Sequence, residues 1–255
     1  MLSKRSKKLR LDIIKLSKAN GGYHYGGSFS CVEILLTLFD SILNNETDKF
    51  IMSKGHACWG FYVLLHEKGL NPLLEGHPHR DIHNGVEWTT GSEGHGFPAA
   101  VGISLAKKIK NQKGKVFVLI GDGECQEGTT WESMLIGAHH KLDNLVVIAD
   151  FNKIQGSGFV KDILSVDSLG EVAKSIGWEV NEVDGHNINE LKSSMSKNNN
   201  KPTLIIAHTI KGKGVSFMEN QPKWHANWPS PEYERKAIEE SVSYTHLTLP
   251  TIYSV

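Results

Sequence analysis

Val116-Phe-Val-Leu-Ile-Gly121-Asp122-Gly123-Glu124 is followed, after one helical stretch, by Asn144-Leu-Val-Val-Ile-Ala-Asp150 and then Asn152-Lys153-Ile154. Each continuous apolar run reads as a buried strand. Between them Glu127 to His140 carries helical spacing. Two parallel strands joined by a helix bring both strand ends to one edge of the sheet, where α/β proteins bind ligands. That edge then carries a glycine-flanked carboxylate, Asp122, and a carboxamide, Asn152. Glycines on either side let backbone approach a phosphate closely. A carboxylate, an amide oxygen and a free backbone carbonyl suit a hard cation such as Mg²⁺ that also holds phosphate oxygens. Taken alone, Gly-Asp-Gly is equally readable as a strand ending in an Asp-Gly turn beside an unrelated Asn.

Working outward, helix and strand alternate. Leu11 to Lys18 is amphipathic at helical spacing, and Val32 to Asp40 reads as a helix. Lys49-Phe-Ile-Met52 reads as a strand, Ala57 to Lys68 as a helix, and Gly94 to Lys110 as a glycine-rich turn that becomes helical. Leu169 to Ile176 is helical, Trp178 to Val183 alternates like a strand, and Ile188 to Ser196 is helical with Asn187 as its cap. Pro202 to His208 is a further buried strand. The alternation predicts an α/β fold: a doubly wound, mostly parallel sheet with helices on both faces, built as one domain over 1–241.

Composition bounds the function. The 255 residues are 39% hydrophobic and 22% charged, ordinary for a globular domain. Zero formal net charge argues against nucleic acid or an anionic membrane as the main partner. Cys31, Cys58 and Cys125 are scattered and odd in number, so neither a disulfide framework nor a zinc pattern appears. No apolar run is long enough to span a bilayer, and the basic start lacks a signal-peptide core, so a cytoplasmic location is the default expectation. Thirteen histidines are many for this length, and several stand at element ends.

Those ends carry a resemblance. Gly-Asp-Gly followed about thirty residues later by Asn resembles the thiamine-diphosphate (ThDP) fingerprint. From roughly Ala19 to His225 the chain is similar to the N-terminal half of a transketolase, as in families where that enzyme is split into two polypeptides. Asn20-Gly-Gly-Tyr-His24-Tyr-Gly-Gly-Ser-Phe-Ser30 resembles the family's His-x-Gly-Gly loop, though a helix-capping turn with a solvated His reads the same residues. Ser53-Lys-Gly-His56 resembles its SKGH turn, Gly76-His77-Pro78 a third family histidine, and Lys211-Gly-Lys-Gly214 with Trp224-His225 a fourth. Four imidazoles on four loops of one edge suit proton shuttling, because His titrates near neutral pH.

The resemblance implies a site. Asp122, Asn152 and Ile154 would hold Mg²⁺ (with Ca²⁺ or Mn²⁺ as substitutes). Gly91, Glu93, Gly121, Asp122, Gly123, Glu124, Asn152 and Ile154 would contact ThDP. His24, His56, His77 and His225 would handle substrate hydroxyls. Glu127 matches a family acid at the interface with the partner domain; a helix-start Glu favoured by the helix dipole is the alternative. In Thr89-Thr-Gly91-Ser-Glu93-Gly-His95-Gly96 the chain departs from the family, which usually carries Leu and Gln where Glu93 and His95 stand. That departure bears on substrate preference more than on cofactor binding.

The implied reaction is ketol transfer from a ketose phosphate to an aldose by a transketolase-type transferase. The activating Glu and pyrimidine domain would belong to a separate C-terminal subunit in an α₂β₂ assembly, so this chain alone is expected to be inactive. Other readings stand beside it: a deoxyxylulose-phosphate synthase or 2-oxoacid dehydrogenase component, a non-catalytic ThDP-binding partner, or an unrelated Mg²⁺-dependent phosphate enzyme. Residues 242–255 are set apart. Val242-Ser-Tyr-Thr-His-Leu-Thr-Leu-Pro-Thr251 back-translates to a transposase-type sequencing adapter, so the expectation is a non-native tail on a gene that continues past about Ser241.

Overall fold

The computed structural model describes residues 3–227 and 229–241; the tail expectation, like Trp228, lies outside them. Helix α1 (Lys4–Ala19) opens on Ser3, whose side chain accepts from the Ser6 amide. Short helices α2 (Tyr25–Ser30) and α3 (Val32–Thr37) follow, then strand β1 (Lys49–Met52) and helices α4 (Trp59–Glu67) and α5 (Gly96–Ile109). The central unit is β2 (Val116–Gly121), α6 (Gly128–His139) and β3 (Leu145–Phe151). A two-stranded hairpin, β4 (Ile154–Gln155) with β5 (Gly158–Phe159), leads into α7 (Val160–Ile163). The chain continues through α8 (Leu169–Ser175), β6 (Glu179–Asp184), α9 (Ile188–Ser196), β7 (Thr203–His208) and α10 (Pro231–Ser241).

Five strands form one parallel sheet in the order β1-β2-β3-β7-β6. The apolar runs are continuous because both faces are covered. Phe117, Leu119, Val146 and Ile148 point into a cluster with Leu9, Phe29, Ile34 and Trp59 under α1 to α4. Val118, Ile120, Val147 and Ala149 point the other way, against Phe97, Met134 and Leu169 of α5, α6 and α8. On the edge strand β6 only Val183 is buried, so its alternation is weak.

The register fixes the site. Met52 pairs with Leu119, Gly121 with Asp150, and Asp150 with Ala207. The residues that leave these strands, Ser53, Asp122, Asn152 and Thr209, therefore emerge side by side on one edge.

Three expectations change. The glycine-rich stretch read as a loop to Ser30 is helical from Tyr25, and its glycines pack closely: an added Cβ would stand 2.8 Å from the Trp224 carbonyl at Gly26 and 3.0 Å from His56 at Gly27. The helix over 32–40 continues as a π-turn over Leu38–Ile42. Helix α10 and the β4–β5 hairpin have no counterpart among the elements expected from sequence. Cys31, Cys58 and Cys125 are free and buried. Among the described residues no helix is long and apolar enough to cross a membrane.

Candidate active site

Asp122 follows β2 and is buried. Its Oδ1 accepts from the Gly123 amide at 2.9 Å and its Oδ2 from the Lys153 amide. Burial, with Asp150 close by, pushes its carboxyl up to about 6. Asn152 follows β3; its Nδ2 donates to Asp150 Oδ2 at 3.2 Å and its Oδ1 accepts from the Ile154 amide at 3.1 Å. The Ile154 carbonyl accepts from Lys211 Nζ at 2.8 Å. Asp122, Asn152 and Ile154 thus line one cleft, together with Lys54, His56, Glu93, Gln155 and His225.

Asp150 is the hub beneath them. It is fully buried, pairs with the Lys54 ammonium, accepts from Ser30 Oγ at 2.5 Å and from Thr209 Oγ1, and holds the Asn152 amide. Burial opposes its charge, but Lys54 and the hydroxyls hold its carboxyl below the usual range. By anchoring Nδ2 it dictates which end of the Asn152 carboxamide faces the cleft. Lys211 is equally buried, and burial together with Lys54 brings its ammonium down to about 8.

The four histidines converge. Their ring centroids lie 5.6 Å apart for His24 and His56, 5.5 Å for His24 and His225, 5.0 Å for His56 and His225, and 6.3 Å for His24 and His77. Burial drives His24 down to about 4 and His225 to about 3, and lowers His56 and His77 as well. All four are neutral at physiological pH, and a neutral imidazole both donates and accepts a proton. His24 is held at φ +65°, a conformation a non-glycine residue adopts at a cost and one that clusters at functional sites. Among the described residues no three His, Cys, Asp or Glu side chains are placed to hold a metal ion.

The Gly91–Gly96 loop closes one wall. Gly91 sits against the His77 ring, with 3.4 Å left for an added Cβ. Glu93 points inward: its Oε1 stands 3.5 Å from His56 Nδ1, and burial raises its carboxyl. His95 is exposed at the head of α5. Glu124 turns away from the cleft. Its carboxylate accepts from Ser53 Oγ and from the amides of Gly94 at 3.0 Å and Gly121 at 3.2 Å, while burial pushes it up to about 7. Glu124 thus ties three loops together from beneath. Glu127 is exposed at the N-terminus of α6 and makes no capping bond with its side chain. Lys54, Asp150, Ser30, Thr209 and Lys211 gained no role from sequence. The contacts of Ser30, Lys54 and Thr209 with Asp150 and of Lys211 with Ile154 span 57 to 120 positions, and only the strand end at Asp150 hinted at the edge.

Residues 3–235 match the family described as "Transketolase, thiamine diphosphate binding domain". The chain belongs to the transketolase family. It is similar over nearly its whole length to one of the subunits of the apulose-4-phosphate transketolase from Actinobacillus succinogenes, at 40% identity, with 94% of this chain and 95% of that one covered. A 6-deoxy-6-sulfo-D-fructose transketolase subunit from a Clostridium species is 32% identical over 91% and 92% of the two chains. Among solved transketolases, that of Campylobacter jejuni superposes with a TM-score of 0.82 at 29% identity, covering 93% of this chain and 42% of that one. The chain spans about two fifths of the length of the solved transketolases it matches. It therefore corresponds to the N-terminal, ThDP-binding part of a transketolase, in the manner of the split N-terminal subunits.

Proposed function

We propose that this transketolase subunit holds the diphosphate of ThDP through a divalent cation. With a separate subunit that carries the pyrimidine domain and activating Glu, it transfers a two-carbon ketol unit from a ketose phosphate to an aldose. The observation that carries the reading is the convergence of Asp122, Asn152 and the Ile154 carbonyl on one cleft beside four neutral imidazoles.

The residues fit the group. Three oxygen donors of a kind that suits Mg²⁺ face the cleft, and the Ile154 carbonyl already receives a cationic group, the Lys211 ammonium. An Asp122 carboxyl pushed up by burial and by a neighbouring carboxylate is a group that gains from an adjacent cation. Lys54 and Lys211 line the same cleft and add positive charge suited to a diphosphate. When bound, ThDP supplies the electron sink for ketol transfer. The chain's own part is placement: Asp122, Asn152 and Ile154 hold the cation, Asp150 orients Asn152, and Gly91 lets backbone lie close to the ring. His24, His56, His77 and His225 accept and return hydroxyl protons. Glu127 lies on the surface that meets the partner subunit in an α₂β₂ assembly.

Two of the similar chains are named for apulose 4-phosphate and 6-deoxy-6-sulfo-D-fructose, both ketoses ending in an anionic group. These names support a donor of that class for the proposed reaction, which we assign to cytoplasmic carbohydrate metabolism. Calorimetry of ThDP with Mg²⁺ on the two-subunit complex tests the assignment. Asp122→Ala abolishes Mg²⁺-dependent retention of ThDP, and unchanged retention refutes the metal assignment.

A further inference from the structure

We propose that Glu93 is a positioning residue that holds His56 with its proton on Nδ1, opposite in tautomer to its neighbour His225. Donor and acceptor chemistry sets both protons. An ammonium has only donors, so Lys211 Nζ, 2.9 Å from His225 Nδ1, makes that nitrogen an acceptor and puts the His225 proton on Nε2. An ionised carboxylate has only acceptors, so Glu93 Oε1, 3.5 Å from His56 Nδ1, favours a proton on the nitrogen it faces. At that distance the contact orients the ring by charge rather than by a short hydrogen bond.

Among the described residues no other carboxylate is paired with any of the four clustered imidazoles. The lysines that lower His56, Lys54 and Lys211, are cations. Among the described residues Glu93 therefore supplies the only acceptor-type bias on the cluster. Its effect is to make His56 Nε2 a lone-pair acceptor while His225 Nε2 is an N–H donor, on rings 5.0 Å apart. Such a pair offers a hydroxyl one donor and one acceptor. An apolar side chain at position 93 would exert no such bias, so Glu93 equips this chain with a pair of opposite tautomers.

The catalytic consequence rests on the proposed ketol transfer, but the tautomer does not, and the test keeps them apart. The full chain labelled with ¹⁵N-histidine is read by long-range ¹H–¹⁵N correlation near pH 7.5, with His56 assigned by the signal missing in His56→Asn. Wild type shows His56 protonated at Nδ1 and His225 at Nε2. Glu93→Leu and Glu93→Ala move the His56 proton to Nε2 or average the two forms, and leave His225 unchanged. A wild-type His56 protonated at Nε2, or a His56 tautomer indifferent to both substitutions, overturns the proposal. In the two-subunit complex the same substitutions lower kcat by about 10-fold with KM little changed, a small share of what general acid–base catalysis contributes. Absence of ketol transfer in the wild-type complex would count against the function alone.

Discussion

Asp150→Asn removes the charge from the hub of the site while keeping its shape. Lys54, almost fully buried, then loses its only paired carboxylate among the described residues, and Ser30, Thr209 and Asn152 lose a charged acceptor. Removing one partner of a buried ion pair costs about 3–5 kcal/mol, because the other charge is left without compensation. For a domain of this size each kcal/mol shifts Tm by roughly 2–4 °C, so the melting point falls by about 6–20 °C. Urea unfolding of the full chain measures the loss directly. Lys54→Met alone is destabilising for the mirror reason. The double variant Lys54→Met with Asp150→Asn recovers part of the sum, since it leaves neither charge stranded. A loss below about 1 kcal/mol for Asp150→Asn, or strict additivity in the cycle, refutes the claim that this pair is a coupled, desolvated unit.

Other consequences follow from the same geometry. Asp122 gains a proton more readily folded than unfolded, since its carboxyl is pushed up to about 6. Its contribution is therefore fully present below the unfolded carboxylate range near 4 and is lost as pH rises through about 6. In chelator, Asp122→Asn should flatten that slope and leave the chain as stable as wild type or more so at pH 7; thermal melts across pH 4–8 that show a less stable variant at pH 7 would contradict it. Gly96→Ala drives a Cβ to within 2.7 Å of the Ser53 Cα, so backbone must move; the expected cost is about 1–3 kcal/mol in urea unfolding, and a neutral result would mean the loop is not seated against Ser53. Glu124→Gln, which trades a carboxyl with three donors for an amide, should lower stability less at pH 8 than at pH 5, because a carboxyl pushed up to about 7 contributes stability that is lost as pH rises through that value; a larger loss at pH 8 would contradict a raised carboxyl.

Much of the fold was legible because parallel strands buried on both faces leave an unbroken apolar signature. Val116–Ile120, Leu145–Asp150 and Thr203–Ala207 all show it. Helix α2 was not legible: Tyr25-Gly-Gly-Ser has poor helix propensity, and its glycines serve close packing against Trp224 and His56 that only the fold brings together. The hairpin over 154–159 has two residues per strand, too few for a period. The cleft's visible parts, Asp122, Asn152 and the histidines, were found through resemblance and strand-end placement. Its supporting network was not, since Lys54 meets Asp150 and Lys211 meets Ile154 only through the fold. Sequence left the direction of Glu93 open; the structure turns it inward, beside His56.

The central claim is that this chain is one half of a two-subunit ketol-transfer site and contributes its metal clamp. The direct measurement is ketol transfer with ThDP and Mg²⁺ by this chain alone, by a C-terminal transketolase-type subunit on its own, and by the two mixed, with wild type and Asp122→Ala. Turnover that appears only in the wild-type mixture and vanishes with Asp122→Ala is the expected result. Turnover by this chain alone, or an Asp122→Ala mixture as active as wild type, would contradict it.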